Sequence, residues 1–272
     1  MCELLAMSSR RPSRLTFSLE TLAAHSRLPG RQRDGWGAAF YRDNDVALYR
    51  EPTAASDSPL VQFLETQGPS TTLAISHIRH ATRGAVVLSN TQPFVRELAG
   101  RMHVFAHNGD LPAIERTESL TFDRYRPVGT TDSEHAFCAL LQRMHGLWAS
   151  TSGVPLLEER LAALSRFAAE LRDLGPANFL YADGDSLFAH GDRRLQAATG
   201  KIEPPGLHLL SRRCDDEGEP VHARGLSVAP GFGEVLLIAS VPLTDEKWRP
   251  FAHGEIVAAS AGRVRRVLPD GA

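Results

Sequence analysis

Two long amphipathic segments set between groups of short strand-like runs limit what this chain can fold into. The runs before the helices are Gly37–Arg42, Val46–Arg50, Thr72–Ile78 and His103–Ala106. Those after them are Ala177–Ala182, Ser186–His190, Leu207–Ser211 and Glu234–Val241. Each is rich in β-branched, aromatic or leucine residues and bounded by Gly, Asp or Pro, the pattern of a strand. Asp183-Gly184-Asp185 between two of them reads as a hairpin turn. The spacing of Ala136, Phe137, Leu140, Leu141 and Met144 predicts a helix over Ser133–Leu147. Thr131-Asp132-Ser133-Glu134 reads as its capping box. Leu161, Leu164, Phe167 or Ala168, and Leu171 predict a second helix over Leu156–Leu174, stopped at Gly175-Pro176. A shorter helix is expected over Pro59–Thr66. Strands, helices, then strands again imply an α+β layered sandwich. With no repeat and no shift of composition, residues 1–272 read as a single domain.

Composition excludes several classes. The formal net charge is −2, so no broad basic field exists to hold nucleic acid or an anionic membrane. No run approaches the roughly 18 apolar residues of a membrane span. The first residues lack the basic-then-apolar pattern of a signal peptide. The cysteines, Cys2, Cys138 and Cys214, include no CxxC pair, which argues against a disulfide framework. A cytoplasmic protein is expected. Cys138 falls on an apolar helix face and reads as core; Cys214 reads as a loop thiol.

Cys2 is open to three readings: a tether, a small core residue, or a nucleophile. Removal of Met1 would place its thiol beside a free α-amine. Three further stretches bear on the choice. Ser76 to Gly84 ends a strand in His77, Arg79, His80 and Arg83. Its histidines, with His103 and His107, raise a zinc site, but without a Cys pair or a nearby carboxylate the pattern is weak, and no metal is expected. Arg79 instead offers a planar fork for a carboxylate. Ala106 to Asp110 reads alone as an Asn-Gly turn. Read chemically, the Asn108 side chain and Gly109 N–H are a donor pair for an oxyanion. Asp132 reads alone as a first-turn acid complementing the helix dipole; read chemically, it faces a ligand ammonium. Together, Arg79, Asp132, the two donors and a thiol outline an α-amino acid with a side-chain amide, glutamine or a γ-glutamyl compound.

Met1-Cys2-Glu3-Leu4-Leu5, Asp34-Gly35-Trp36-Gly37, His77-Ile78-Arg79, His107-Asn108-Gly109 and Thr131-Asp132-Ser133-Glu134, in that order, resemble the class II glutamine amidotransferases, which are N-terminal nucleophile hydrolases. The match is nearest to their stand-alone YafJ-like group and runs along nearly the whole chain. The resemblance implies a four-layer αββα sandwich of two antiparallel sheets between helices. It implies Cys2 as nucleophile with its own α-amine as base, and no cofactor. Arg79 would hold the substrate carboxylate, helped by backbone near Ala81 and Thr82. Asn108 and Gly109 would form the oxyanion hole, Asp132 would bind the ammonium, and Trp36 would shape the pocket. His80 stands where many members have Trp, and Arg83 where many have His, which bears on the pocket rim. No second catalytic domain or phosphate-binding loop is recognisable in the sequence. Three functions therefore stay open: a glutaminase subunit serving a separate ammonia-accepting or peptidase partner, a free-standing γ-glutamyl hydrolase like relatives in glutathione breakdown and ergothioneine synthesis, and a non-catalytic amino-acid-binding or scaffold protein.

Overall fold

The computed structural model describes residues 2–17, 34–80, 84–214, 221–223, 226–228 and 233–270. In chain order the strands are β1 (Glu3–Phe17), β2 (Trp36–Arg42), β3 (Asp45–Glu51), β4 (Ser70–Ile78), β5 (Phe94–Leu98), β6 (Arg101–Gly109), β7 (Ala177–Ala182) and β8 (Leu187–Gly191). There follow β9 (Arg194–Leu195), β10 (Ile202–Glu203), β11 (His208–Cys214), β12 (Val221–Ala223), β13 (Leu226–Val228), β14 (Gly233–Ala239), β15 (Arg249–Pro250), β16 (Glu255–Ser260) and β17 (Arg263–Leu268). The helices are α1 (Pro59–Gln67), α2 (Asp132–Ala149) and α3 (Leu157–Leu174). Both long helices and the short one form where periodicity places them. The Asp183-Gly184-Asp185 turn closes the β7–β8 hairpin, with Ala182 opposite Leu187. Cys138 is buried. Cys214 ends β11 and is not in a loop, because its backbone pairs with Gly233. Strands β1, β5, β16 and β17, and the short β9, β10, β12, β13 and β15, are additional to the sequence reading.

One large sheet runs β15-β11-β14-β1-β4-β2-β3, with β13 pairing β1 and β12 pairing β13, and a second runs β17-β16-β8-β7-β6-β5; β9 and β10 form a separate two-stranded sheet. Neighbours in both large sheets are antiparallel. The period of two along each strand sorts side chains into layers. Leu4, Ala6, Ile75, Leu236 and Ile238 of the first sheet meet Val104, Ala106, Leu180, Ala189 and Val257 of the second in one core. Leu5, Met7, Trp36, Phe40 and Leu237 face the other way, under Val61 and Leu64 of α1. Phe105, Phe179, Tyr181 and Phe188 of the second sheet face Phe137, Leu141 and Met144 of α2 and Leu164 and Phe167 of α3. Phe105 and Phe137 stack with centroids 5.4 Å apart, an arrangement that adds to simple area burial. This is an αββα sandwich. Among the described residues no helix is long and apolar enough to cross a membrane.

Candidate active site

Antiparallel pairing brings the start of β1 beside the end of β4, with Glu3 opposite Ile78 and Leu4 opposite His77. Cys2 therefore lies against the residues that leave β4. Its Sγ accepts from the His80 N–H at 3.2 Å and lies 3.4 Å from the His80 carbonyl, to which the thiol can donate. The start of β1 is held on its other side as well. Leu4 N–H donates to Ser240 Oγ at 3.0 Å, and Ser240 N–H donates to Leu4 O at 3.0 Å. Arg194 grips both Glu3 oxygens, at 2.8 and 3.2 Å, and donates to Ser240 O at 2.6 Å. Glu3 and Arg194 are buried. The sequence reading missed this ion pair; its only trace is a charged residue in an otherwise apolar strand start.

On the second sheet, Val104 and Ala106 point into the gap between sheets, so alternation turns Asn108 the same way, toward Cys2. Its Nδ2 donates to Cys2 O at 2.7 Å. One proton of that amide is thus spent on the main chain, and the second remains. Gly109, next in line, borders the cavity onto which Cys2 opens. A Cβ at Gly109 would fall 1.8 Å from Pro176 O, so only glycine allows this approach. His107 points to the helix layer, with Nδ1 2.9 Å from Ser133 Oγ. Gln92 clasps the His107 backbone, accepting from its N–H at 2.6 Å and donating to its O at 3.2 Å.

Arg79 and Asp132 border the same cavity. Arg79 is buried and anchored through its N–H to Gly35 O at 2.8 Å. Its guanidinium donates to Ala85 O at 3.1 Å and Gly84 O at 3.4 Å. Asp132 opens α2; its carboxylate accepts from Leu111 N–H and Ser133 N–H, each at 2.8 Å. Thr131 caps the helix by accepting from Glu134 N–H at 3.2 Å. The reciprocal half of the expected capping box is absent. Glu134 instead accepts from Gly129 N–H at 2.6 Å and pairs with Arg96, since a buried carboxylate is held better by a cation than by one more amide. His80 also borders the cavity, and its ring Nδ1 lies 3.4 Å from Asp34 Oδ2.

The structure does not bring Trp36 to this cavity. Strand alternation places it on the outer face of the first sheet, fully buried, with Nε1 donating to Glu51 Oε2 at 3.1 Å. Ala81 and Thr82, and the neighbouring Arg83, lie outside the described residues. The four histidines raised for zinc part company. His77 follows Leu73 and Ile75 into the gap between sheets, while His103 turns to Tyr181 OH at 2.6 Å and His107 to Ser133.

Burial pushes the Cys2 thiol pKa up; the His80 N–H and the Arg79 charge pull it back, and Glu3 adds to the rise. Cys2 is only partly buried, but a thiol whose pKa is raised in this way needs a base to become a nucleophile. Burial, with the charges of His107 and Arg79, pushes His77 down to about 3. Burial lowers His107 too, against the opposing carboxylate of Asp132. The imidazoles of His77 and His107 are therefore neutral behind the site, and its lining carries the Arg79 guanidinium together with the carboxylates of Asp110 and Asp132.

Comparison with solved structures places this sandwich among amidotransferases. The glutamine phosphoribosylpyrophosphate amidotransferase of Bacillus subtilis shares the fold at a TM-score of 0.61 and 15% identity, over 98% of this chain and 49% of that one. A crystal structure of a "predicted glutamine amidotransferase" from Pseudomonas aeruginosa PA01 matches at a TM-score of 0.68 and 33% identity, over 97% of this chain and 100% of that one. In sequence, the "Putative glutamine amidotransferase YafJ" of Escherichia coli (strain K12) is 34% identical over 94% of this chain and 96% of its own. The "Putative glutamine amidotransferase" of Haemophilus influenzae is 31% identical over 100% of this chain and 91% of its own. The family of class-II glutamine amidotransferases matches residues 1–270. The chain belongs to that family.

Proposed function

We propose that this protein is an amidohydrolase that cleaves the side-chain amide of glutamine or of a γ-glutamyl compound, with Cys2 as nucleophile. One observation carries the reading: Cys2, Arg79, Gly109 and Asp132 border a single cavity, although four separate elements deliver them. Arg79 would take the substrate α-carboxylate and Asp132 its α-ammonium, which fixes the side-chain amide toward Cys2. Removal of Met1 supplies an α-amine with a reference pKa of about 7.7–8.0, well suited to accept the proton of the thiol. The thiolate adds to the amide carbon, and the carbonyl electrons move onto oxygen. The Gly109 N–H and the remaining proton of Asn108 Nδ2 would stabilise that oxyanion. The protonated α-amine returns its proton to the leaving nitrogen, the C–N bond breaks, and ammonia or an amine departs from a thioester. Water then adds to the thioester carbon, its proton passing to the α-amine, and the C–S bond breaks to give glutamate and the free thiol.

The test is glutamate release from glutamine and from glutathione, with intact mass of the same sample. Turnover by a Met1-free protein is expected, and Cys2→Ala should lower it by more than about a thousandfold while the circular dichroism spectrum is kept. Release of ammonia from free glutamine supports service to a separate acceptor subunit; preference for the tripeptide supports a free-standing γ-glutamyl hydrolase. Glutamine binding without turnover of either would replace the enzyme with a binding protein.

A further inference from the structure

The Gly109 N–H is useful only if its peptide is turned the right way, and the structure contains a device that turns it. Gln92 binds both the N–H and the carbonyl of His107, so those groups face the β5 side of β6. Main-chain groups alternate direction along a strand. Those of Asn108 face β7, and those of Gly109 turn back to the side of Gln92. Gln92 and Gly109 border the cavity together. The Asn108 carbonyl and the Gly109 N–H belong to one planar trans peptide and point in opposite directions. Whatever holds the carbonyl therefore aims the N–H.

Asn178 holds it. This residue stands directly opposite Asn108 in the β6–β7 ladder, one pair before its end at Gly109 and Ala177. It is 1% exposed. Its Nδ2 donates to Asn108 O at 3.1 Å and to Arg193 O at 2.9 Å, while its Oδ1 accepts from Asp192 N–H at 2.8 Å. These three bonds all go to main chain. Space for the amide depends on Gly206, where a Cβ would fall 1.6 Å from Asn178 Oδ1. A ladder is least supported at its last pair, and a side-chain donor there steadies the terminal peptide.

We propose that Asn178 is a positioning residue, which locks the Asn108–Gly109 peptide so that the Gly109 N–H faces the oxyanion. This rests on the amidohydrolase reading of the site. Asn178→Asp keeps the shape and the Oδ1 acceptor but sets an oxygen against Asn108 O; Asn178→Ala removes the side-chain donor and leaves the carbonyl to the main-chain ladder alone. Each is to be measured for kcat and KM with glutamine, for Cys2 alkylation by iodoacetamide, and for affinity toward glutamate γ-semialdehyde relative to glutamate. The aldehyde adds the Cys2 thiol to form a hemithioacetal, whose oxygen occupies the oxyanion position. A kcat loss of about 100-fold is expected, with KM and alkylation rate nearly unchanged and the preference for the aldehyde lost by a similar factor. Unchanged kcat and aldehyde preference in folded variants would overturn the proposal, and so would parallel loss of kcat, glutamine affinity and thiol reactivity. If neither variant folds, the wild-type protein still decides: the Gly109 amide proton should move downfield on aldehyde binding, and its indifference would overturn the assignment. A wild-type protein that captures no aldehyde and hydrolyses neither substrate would instead remove the amidohydrolase reading itself.

Discussion

Glu3 shows how much a single side chain beside the nucleophile can be asked to do. Burial pushes its carboxyl pKa up, and the charge of Arg194 only partly offsets this. The pair is thus an expensive way to fix the start of β1, and removing one member leaves the other buried and uncompensated. Arg194→Ala is expected to lower stability by about 3–5 kcal/mol, read from the urea midpoint. The double variant Glu3→Met with Arg194→Met should recover most of that loss. Recovery without return of turnover would mean the pair serves the position of Cys2 more than the stability of the fold; equal losses in single and double variants would mean that the ion pair itself is not the cause. Arg79 makes a different claim. Arg79→Lys keeps the charge and loses the fork, so KM for glutamine should rise about tenfold with kcat little changed. An unchanged KM would remove Arg79 from carboxylate binding.

At the scale of elements, the helices were legible because their signal is local. Phe137, Leu140, Leu141 and Met144 lie on one face whatever they pack against. Strand β1 was not legible: its Ser8 to Ser13 tract is polar, and the register with β4 shifts between Ser8 and Ser13. The site was legible in its residue types and not in their directions. Trp36 turns away from the cavity because it shares the parity of Ala38 and Phe40, a fact that depends on which face of the sheet is inner. Glu134 left the capping box because Arg96, on another element, reached it first. The cap that remains is testable. Thr131→Ala removes the acceptor for Glu134 N–H and should cost about 1 kcal/mol. Because Thr131 precedes Asp132, a rise in KM for glutamine should accompany the lower urea midpoint. A stability loss with KM unchanged would show that Asp132 keeps its place through Leu111 and Ser133 alone.

At the scale of the whole molecule, two of the three cores lie on either side of the second sheet, and each of these has taken in histidines. His77 sits in the gap between the sheets, with neither ring nitrogen hydrogen-bonded among the described residues. His103 and His190 lie under the helix layer, against Trp148 and Phe179. Burial pushes all three down to about 3. An unfolded chain protonates them near 6.5. Between those values the unfolded state binds more protons than the folded one, so stability is full above about pH 6.5 and is lost as pH falls toward 3. Each histidine adds at most about 1.4 kcal/mol per pH unit in that window. Buried Glu3 and Asp183 act oppositely, since their raised carboxyl values favour the folded state as pH falls. The decisive quantity is therefore a difference between variants. His77→Phe replaces an unsatisfied ring with an apolar one of similar shape, which costs little at pH 7. Urea midpoints for the two proteins should then diverge on going from pH 7 to pH 5, with the variant losing less. Parallel lines would mean that His77 takes up its proton inside the folded protein, and that the gap between the sheets is open to water at its active-site end.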